Sequence, residues 1–116
     1  MKSYIFTAVI FLSIAQQKCQ KQKAVPTIPA CVQSKIDKIK KEPRWNPPAK
    51  VEEYRYDGRR VFLFSSNCCD QFNEAFDDSC NYICAPSGGY TGKGDKKCED
   101  FKDAAQFVKV VWQDER

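Results

Sequence analysis

The amino-acid sequence predicts an α+β domain in which one N-terminal helix packs on a four- to five-stranded antiparallel sheet, stapled by disulfide bonds. Three observations lead to this prediction. Apolar residues recur at helical spacing after Pro29. A tight-turn dipeptide, Asp57-Gly58, separates two runs of β-forming residues. Six cysteines lie between Cys31 and Cys98, a density typical of small exported domains.

Residues 1–15 have the features of a signal peptide. An apolar run of about a dozen residues follows Lys2, which is long enough for a signal-peptide core and too short to span a bilayer. Small residues at the end of this run predict cleavage after Ala15. We therefore expect an exported protein of the periplasm, cell envelope or extracellular space.

Cys19 leaves two alternatives open. A cysteine soon after an apolar leader suggests lipid attachment, which would place the protein on a membrane. Lipoprotein processing requires a small residue just before that cysteine, and Lys18 stands there instead. A free or partner-linked thiol at Cys19 is the other alternative.

The predicted domain begins after a basic linker. Residues 16–28 are polar and interrupted by proline, which is typical of a flexible spacer, so the domain is expected at residues 29–116. The segment PACVQSKIDKIKKE then predicts a helix whose apolar face consists of Val32, Ile36 and Ile39. Cys31 lies in its first turn, so a disulfide from it would staple the helix to the rest of the domain. Prolines 43, 47 and 48 predict an extended connector, with Trp45 as a lid over the edge of the core.

The segment VEEYRYDGRRVFLF predicts a β-hairpin. Asp57-Gly58 accepts the positive dihedral angles of its turn. Tyr54 and Tyr56 alternate with polar residues, so the first strand has an aromatic face. Residues 61–64 are all apolar, which predicts a central strand covered on both faces, one of them by the helix.

The second half of the chain predicts short elements separated by turns. In order, we assign a strand or irregular turn at 70–76, a short strand at 81–84, a glycine-rich loop without regular structure at 86–94, a short helix at 99–106, and a closing strand at 107–112. In that last strand Val108, Val110 and Trp112 are expected on one face.

Disulfide bonds are expected to stabilise this small domain more than its apolar core does. Cys68 and Cys69 are adjacent, and a bond between neighbours strains the intervening peptide, so we expect them to reach in opposite directions. Sterics favour bonds from this pair to Cys80 or Cys84, while the two outermost cysteines close longer loops. The six cysteines assigned to disulfides are Cys31, Cys68, Cys69, Cys80, Cys84 and Cys98.

The sequence contains no histidine. This excludes histidine-based catalytic triads, histidine-ligated zinc and imidazole acid–base catalysis, and we expect a non-enzymatic protein without a cofactor. The first 50 residues hold ten Lys and Arg against two Asp and Glu. A charge run of this kind is usually a solvated surface, and no aromatic and basic face indicates nucleic-acid binding.

Other uses of the cysteines and carboxylates have weaker patterns. Zinc binding lacks a CxxC pair, since three residues separate Cys80 from Cys84. A redox role for a vicinal Cys68-Cys69 bond is an alternative. Calcium binding lacks EF-hand spacing, and solvated turns account for the carboxylates. Those carboxylates are Asp70, Glu74, Asp77, Asp78, Asp95, Glu99, Asp100 and Asp103.

One stretch, CCDQFNEAFDDSCNYICAPSGGYTGKGDKKC, carries a family resemblance together with the flanking helix, hairpin and C-terminal VVWQDER. From Pro29 to Arg116 the chain resembles a family of small exported bacterial proteins known only as a domain of unknown function. Members carry a signal peptide or a lipoprotein leader. The resemblance implies export and this fold, and it implies no activity.

We therefore expect a monomeric binding or inhibitory module whose partner is an envelope or secreted protein or a polysaccharide. A purely structural envelope protein, and a small thiol-redox or hydrolytic enzyme, are the alternatives. A loop held rigid by disulfides loses little entropy on binding, which makes the glycine-rich loop the candidate contact surface. Its residues are Gly88, Gly89, Tyr90, Thr91, Lys93 and Asp95.

Overall fold

Two helices and five strands follow one another along residues 27–116, the part of the chain that the computed structural model describes. In chain order they are α1 (Ala30–Lys40), β1 (Lys50–Tyr56), β2 (Arg59–Phe64), β3 (Phe72–Asp77), β4 (Tyr82–Gly88), α2 (Phe101–Ala104) and β5 (Gln106–Gln113). The strands form one antiparallel sheet in the order β4-β3-β2-β1-β5. The predicted α+β class is confirmed. The predicted signal peptide and Cys19 lie outside the described residues.

Helix α1 covers one face of the sheet, as predicted. Its buried residues are Val32, Ile36 and Ile39. They form one apolar cluster with side chains from β1, β2 and β3, namely Val51, Phe62, Phe64 and Phe76. The partly buried Trp45 packs against this cluster from the connector that follows the helix, so it closes the edge of the core.

The hairpin between β1 and β2 forms around the predicted turn. Asp57 and Gly58 both have positive φ angles, 50° and 72°, which is the conformation that this dipeptide tolerates. Strand β2 is the middle strand of the five. Its residues Val61 and Phe62 are completely buried, one on each face of the sheet. The prediction of a central strand covered on both sides is confirmed.

Helix α2 covers part of the second face. The ring of Phe101 lies 5.1 Å from the rings of both Tyr54 and Tyr56, centroid to centroid. The Tyr56 hydroxyl donates a hydrogen bond of 2.5 Å to Asp100, at the start of this helix. This hydrogen bond and, second to it, burial of the ring raise the pKa of Tyr56 to about 12, so the hydroxyl keeps its proton at neutral pH.

Strand β5 differs from its predicted pattern. Trp112 pairs with Val51, whereas Val110 pairs with the next residue, Glu52, so one residue of β5 is extra at this point. Val108 is a second extra residue, because Lys109 pairs with Glu53 and Phe107 pairs with the next residue of β1, Tyr54. Because each bulge interrupts the alternation of side chains, the prediction that Val108, Val110 and Trp112 share one face is wrong.

Strand β4 runs further than predicted. It continues to Gly88 and includes Pro86, which the sequence placed in an irregular loop. A proline is tolerated there because β4 lies at the edge of the sheet, where one side of the strand needs no ladder hydrogen bond. The irregular loop therefore begins only at residue 89.

Disulfide bonds are present, but their pairing differs from the expected one. Cys31 bonds to Cys80, and Cys84 bonds to Cys98, with 6.0 Å between the Cα atoms in each pair. Cys68 and Cys69 bond to each other, so the expected bonds from this pair to Cys80 or Cys84 are wrong. The reason is local: both residues lie in the loop between β2 and β3 and not on a strand, so the pleat does not turn them to opposite faces.

An ion pair at the C-terminus holds the end of α1. The Arg116 guanidinium lies 2.7 Å from the Asp114 carboxylate and donates to the backbone oxygens of Lys40 and Glu42, each at 3.0 Å. The Asp114 side chain is almost completely buried. The hydrogen bonds from Arg116 lower the pKa of Asp114 from its ordinary 3.8 to about 2.

Removing the Cys31–Cys80 bond should destabilise the domain strongly, because it closes a segment with a sequence separation of 49. The Cys31→Ala/Cys80→Ala variant should lose about 4 kcal/mol of unfolding free energy by the chain-entropy relation. Urea denaturation measures this loss. The matched variant Cys68→Ala/Cys69→Ala should lose no more than about 1 kcal/mol, and equal losses in the two variants would contradict the assignment.

Acid should release the Asp114–Arg116 ion pair. Since the folded pKa lies below the unfolded one, the stabilisation is complete above pH 3.8 and is lost as the pH falls towards about 2. Asp114→Asn should be less stable than the natural protein at pH 6, and the difference should shrink between pH 4 and pH 2. Thermal denaturation at several pH values would show this, and a constant difference across that range would refute it.

Candidate functional site

The glycine-rich loop, residues 89–95, is folded back onto the edge of the sheet. Its backbone donates three hydrogen bonds to neighbouring segments: Gly89 to Gln71, Gly94 to Gly88, and Asp95 to Ala85, all between 2.9 and 3.0 Å. Gly88 and Lys93 also form an isolated parallel bridge. The Gly89 bond continues the pairing between β3 and β4, and the bonds of Gly94 and Asp95 join the end of the loop to β4, so both ends of the loop are held.

Glycine is required at Gly88, the last residue of β4, and at Gly94 in the loop. Gly88 and Gly94 have φ angles of +82° and +73°, which side chains rarely tolerate. A Cβ atom on Gly94 would also overlap the carbonyl oxygen of Ala85, and one on Gly88 would overlap that of Gln71. The close backbone approach that fixes the loop therefore depends on the missing side chains.

Side chains fix the base of the loop as well. The Tyr82 hydroxyl donates a hydrogen bond of 2.5 Å to Asp95, whose other carboxylate oxygen accepts from the Lys97 backbone at 3.0 Å. Partial burial, reinforced by the Asp95 contact, raises the pKa of Tyr82 to about 12. Burial alone would raise the pKa of Asp95, but the hydrogen bonds with Tyr82, Lys97 and Ala85 together outweigh it and keep this pKa below 3.8. The Cys84–Cys98 bond lies beneath, with both residues buried.

The tip of the loop extends into solvent. Tyr90 is 93% exposed, more than any other large apolar side chain in the described part of the chain. Thr91 and Lys93 beside it are also exposed, and the Thr91 hydroxyl accepts a hydrogen bond from the Lys93 backbone at 3.3 Å. The six predicted contact residues thus divide into two groups. Gly88, Gly89 and Asp95 hold the loop, and the side chains of Tyr90, Thr91 and Lys93 face outward.

A groove lies between α1 and the loop that joins β2 to β3. Its volume is about 650 Å³. Aromatic, hydroxyl, amide and charged side chains line it: Lys35, Lys38, Ile39, Glu42, Trp45, Phe64, Ser65, Ser66, Asn67, Asp70, Gln71, Phe72, Glu74 and Phe76. The Lys35 ammonium sits 4.1 Å from the centre of the Phe76 ring, and the Trp45 indole N–H donates to Glu42 at 2.8 Å.

The outer wall of this groove is the β2–β3 loop, residues 65–71. Its first residues are held by side-chain hydrogen bonds, from the Lys50 backbone to the Ser65 hydroxyl at 2.8 Å and from the Ser66 backbone to the Asn73 side chain at 2.9 Å. Its last residue, Gln71, accepts the hydrogen bond from Gly89 described above. The Phe72 ring lies against Gly89, so the groove and the glycine-rich loop form one continuous surface.

The Cys68–Cys69 disulfide is at the outer end of this wall. Both residues are exposed. Cys68 lines a second cavity of about 470 Å³ together with Arg44, Trp45 and Asn67. Trp45 also lines the groove, so its side chain separates the two concavities.

The carboxylates considered for calcium do not converge within the described residues, where no group of three or more metal-binding side chains occurs. Several have hydrogen-bonding partners: Asp77 accepts from Ser79 and Asn81 in its own turn, and Asp95 and Asp100 accept from the hydroxyls of Tyr82 and Tyr56 on β4 and β1. Between residues 27 and 116 no helix is long and apolar enough to cross a membrane.

The groove was not predicted from the sequence. The position of Trp45 at the edge of the core is confirmed, but its side chain also lines the groove. The run SSNCCDQ contained a usable signal, because seven polar or small residues between two strands are typical of a loop. The expectation that Cys68 and Cys69 reach in opposite directions left the bond between them unpredicted.

Residues 37–114, well over half of the chain, match the family model described as a domain of unknown function (DUF6970). The chain belongs to this family. The matched part of the DUF6970 domain contains all five strands, the groove wall and the glycine-rich loop, and it begins within α1, after Cys31. No curated protein and no solved structure matches the sequence.

Replacing Tyr82 with phenylalanine should loosen the glycine-rich loop, because it removes the hydrogen bond to Asp95. We expect the Asp95 backbone amide to exchange with solvent faster by on the order of five- to tenfold, which corresponds to one net hydrogen bond of about 1 kcal/mol. Hydrogen exchange followed by NMR measures this rate. Tyr90→Phe serves as the control and should leave the rate unchanged; equal acceleration in both variants would contradict the proposed support.

Proposed function

We propose that this DUF6970 protein is an exported, non-enzymatic binding or inhibitory module that contacts a partner protein through the tip of its glycine-rich loop. The observation that carries the proposal is the 93% exposure of Tyr90 on a loop whose backbone is fixed along β4. When a partner buries an aromatic side chain that was exposed to water, the free energy of the complex is lowered.

The rigidity of the loop adds to this gain. Binding normally costs conformational entropy, since mobile side chains and loops must be ordered at the interface. Here the three backbone hydrogen bonds, the Tyr82–Asp95 contact and the underlying Cys84–Cys98 bond order the loop before any partner arrives. Tyrosine itself has few rotatable bonds, which is one reason why it is common at the centres of interfaces.

Neighbouring features suit a protein partner. Lys93 and Thr91 provide a charge and a hydroxyl beside the aromatic ring, as at the polar rim of an interface. The Phe72 side chain, 44% exposed, continues the apolar surface from the loop towards the groove. Inhibition of a secreted hydrolase is the more specific form of the proposal, because a rigid projecting loop can occupy an active-site cleft without rearranging.

Export is supported by the cysteines. Three disulfides in one small domain are typical of proteins that mature in an oxidising compartment. The non-enzymatic part of the proposal is supported by the absence of histidine from the whole sequence.

Substitution of Tyr90 should weaken partner binding while leaving the fold intact. A photo-crosslinking amino acid at Thr91 would first capture and identify the partner from secreted or envelope protein. Calorimetry with that purified partner should then show Tyr90→Ala weakening the complex by roughly 30-fold, about 2 kcal/mol, as expected for an interface hot spot. Lys93→Ala should give a smaller loss.

Phe107→Ala is the matched control, because Phe107 is also exposed, at 56%, but lies on β5 at the opposite edge of the sheet. It should bind as the natural protein does. Tyr90→Ala and Lys93→Ala should keep the melting temperature within a few degrees, since exposed substitutions change stability by about 0.5 kcal/mol or less. Phe107→Ala should cost about 0.5–1.5 kcal/mol, because its ring packs edge-on against Tyr54, with 5.6 Å between the ring centroids. Unchanged affinity of Tyr90→Ala would refute the contact surface, and failure to crosslink any protein would favour a purely structural protein instead.

A further inference from the structure

We propose that the Cys68–Cys69 disulfide is a reversible thiol–disulfide exchange site, whereas the other two disulfides are permanent structural bonds. This goes beyond the proposed binding function, because it assigns to the β2–β3 loop a chemical reaction with a dithiol reductant. The inference rests on sequence separation, on exposure, and on the position of the pair at the end of the groove wall.

Sequence separation distinguishes the three bonds. A disulfide stabilises a fold mainly by restricting the unfolded chain, and this effect grows with the length of the loop that it closes. The separations are 49 for Cys31–Cys80, 14 for Cys84–Cys98 and 1 for Cys68–Cys69. A bond between adjacent residues closes almost no loop. Reducing it should therefore leave the domain folded.

Exposure distinguishes them in the same direction. Exchange requires a thiolate to reach a sulfur atom, and exposed disulfides are the ones that react reversibly. Cys84 is completely buried and Cys98 is 5% exposed, and Cys31 and Cys80 are partly buried against the core. Cys68 and Cys69 are both exposed, and they lie in a loop outside the sheet. A reductant can thus approach this pair without opening the core.

The exchange proceeds in two steps. Cys68, which lines a cavity of the surface, is the leaving group in the first step. A thiolate of the dithiol attacks Sγ of Cys69, which forms a mixed disulfide and releases Cys68 as a thiolate. The second thiolate of the dithiol then attacks the reductant's first sulfur in the mixed disulfide, which releases Cys69 as a thiolate. Two electrons pass to the protein, the dithiol leaves as a disulfide, and its two protons end on Cys68 and Cys69.

The reaction would alter the groove. The 68–69 peptide is constrained within a small ring while the bond exists, and Asn67 and Asp70 on either side of it line the groove. The Cys68 carbonyl oxygen also accepts a hydrogen bond from the Gln71 backbone at 3.0 Å. Opening the ring frees this peptide to rotate, so the reduced protein has a more mobile groove wall.

Stepwise reduction tests the proposal. Free thiols, including any at Cys19, are first blocked with N-ethylmaleimide in the purified chain. The protein is then equilibrated with increasing dithiothreitol, labelled with iodoacetamide, and mapped by mass spectrometry. We expect label at Cys68 and Cys69 at a dithiothreitol concentration at least about 10-fold below that needed for the other four cysteines, with an unchanged circular dichroism spectrum.

Two further measurements separate exchange from general loosening. In a Trp112→Phe background, Trp45 fluorescence should change at the same low dithiothreitol concentration, because Trp45 shares a cavity with Cys68. In Cys68→Ser/Cys69→Ser this first step should vanish, while the other two disulfides should be reduced at the same dithiothreitol concentration as in the natural protein. Reduction of all three disulfides together, or loss of structure at the first step, would overturn the proposal.

Discussion

The buried bond between Cys84 and Cys98 is the constraint on which the candidate site depends. It joins β4 to the segment just before α2, and it lies in the apolar cluster that contains Tyr56, Val61 and Phe101. Through this position it brings α2 onto the second face of the sheet. The same bond sets the two ends of the glycine-rich loop close together, and the loop must then fold back along β4.

Rigidity and exposure come together in that loop. Buried residues and backbone hydrogen bonds hold its base. The exposed side chains of Tyr90 and Lys93 point into solvent and do not support the fold. Substitutions at Tyr90 and Lys93 can therefore alter the exposed surface of the loop without changing the fold, whereas Gly88 and Gly94 are fixed by the close backbone approach. On the other side of Phe72, the groove wall is held mainly at its ends, so the surface combines a stiff part and a more adaptable one.

Patterns in the sequence predicted most of the fold, because local rules determine the elements concerned. Spacing identified the face of α1, Asp57-Gly58 identified the hairpin, and the apolar run in β2 identified the centre of the sheet. The errors have two sources. The bulges in β5 depend on how it pairs with β1, and the Cys31–Cys80 and Cys84–Cys98 bonds depend on which segments the fold brings together. The Cys68–Cys69 bond depends instead on the local conformation of the β2–β3 loop. The groove was missed because it is lined by residues that only the packing of α1 on the sheet brings together.

The two outer strands also have a consequence for behaviour at high concentration. An open, straight edge strand is a template onto which another molecule can add its own strand, and this is a common start of aggregation. In this domain β5 is distorted by two extra residues, and β4 carries a proline and is bordered by the glycine-rich loop. Neither edge offers a regular ladder for a neighbour to extend, so the sheet ends within the domain and a second molecule has no ready template there.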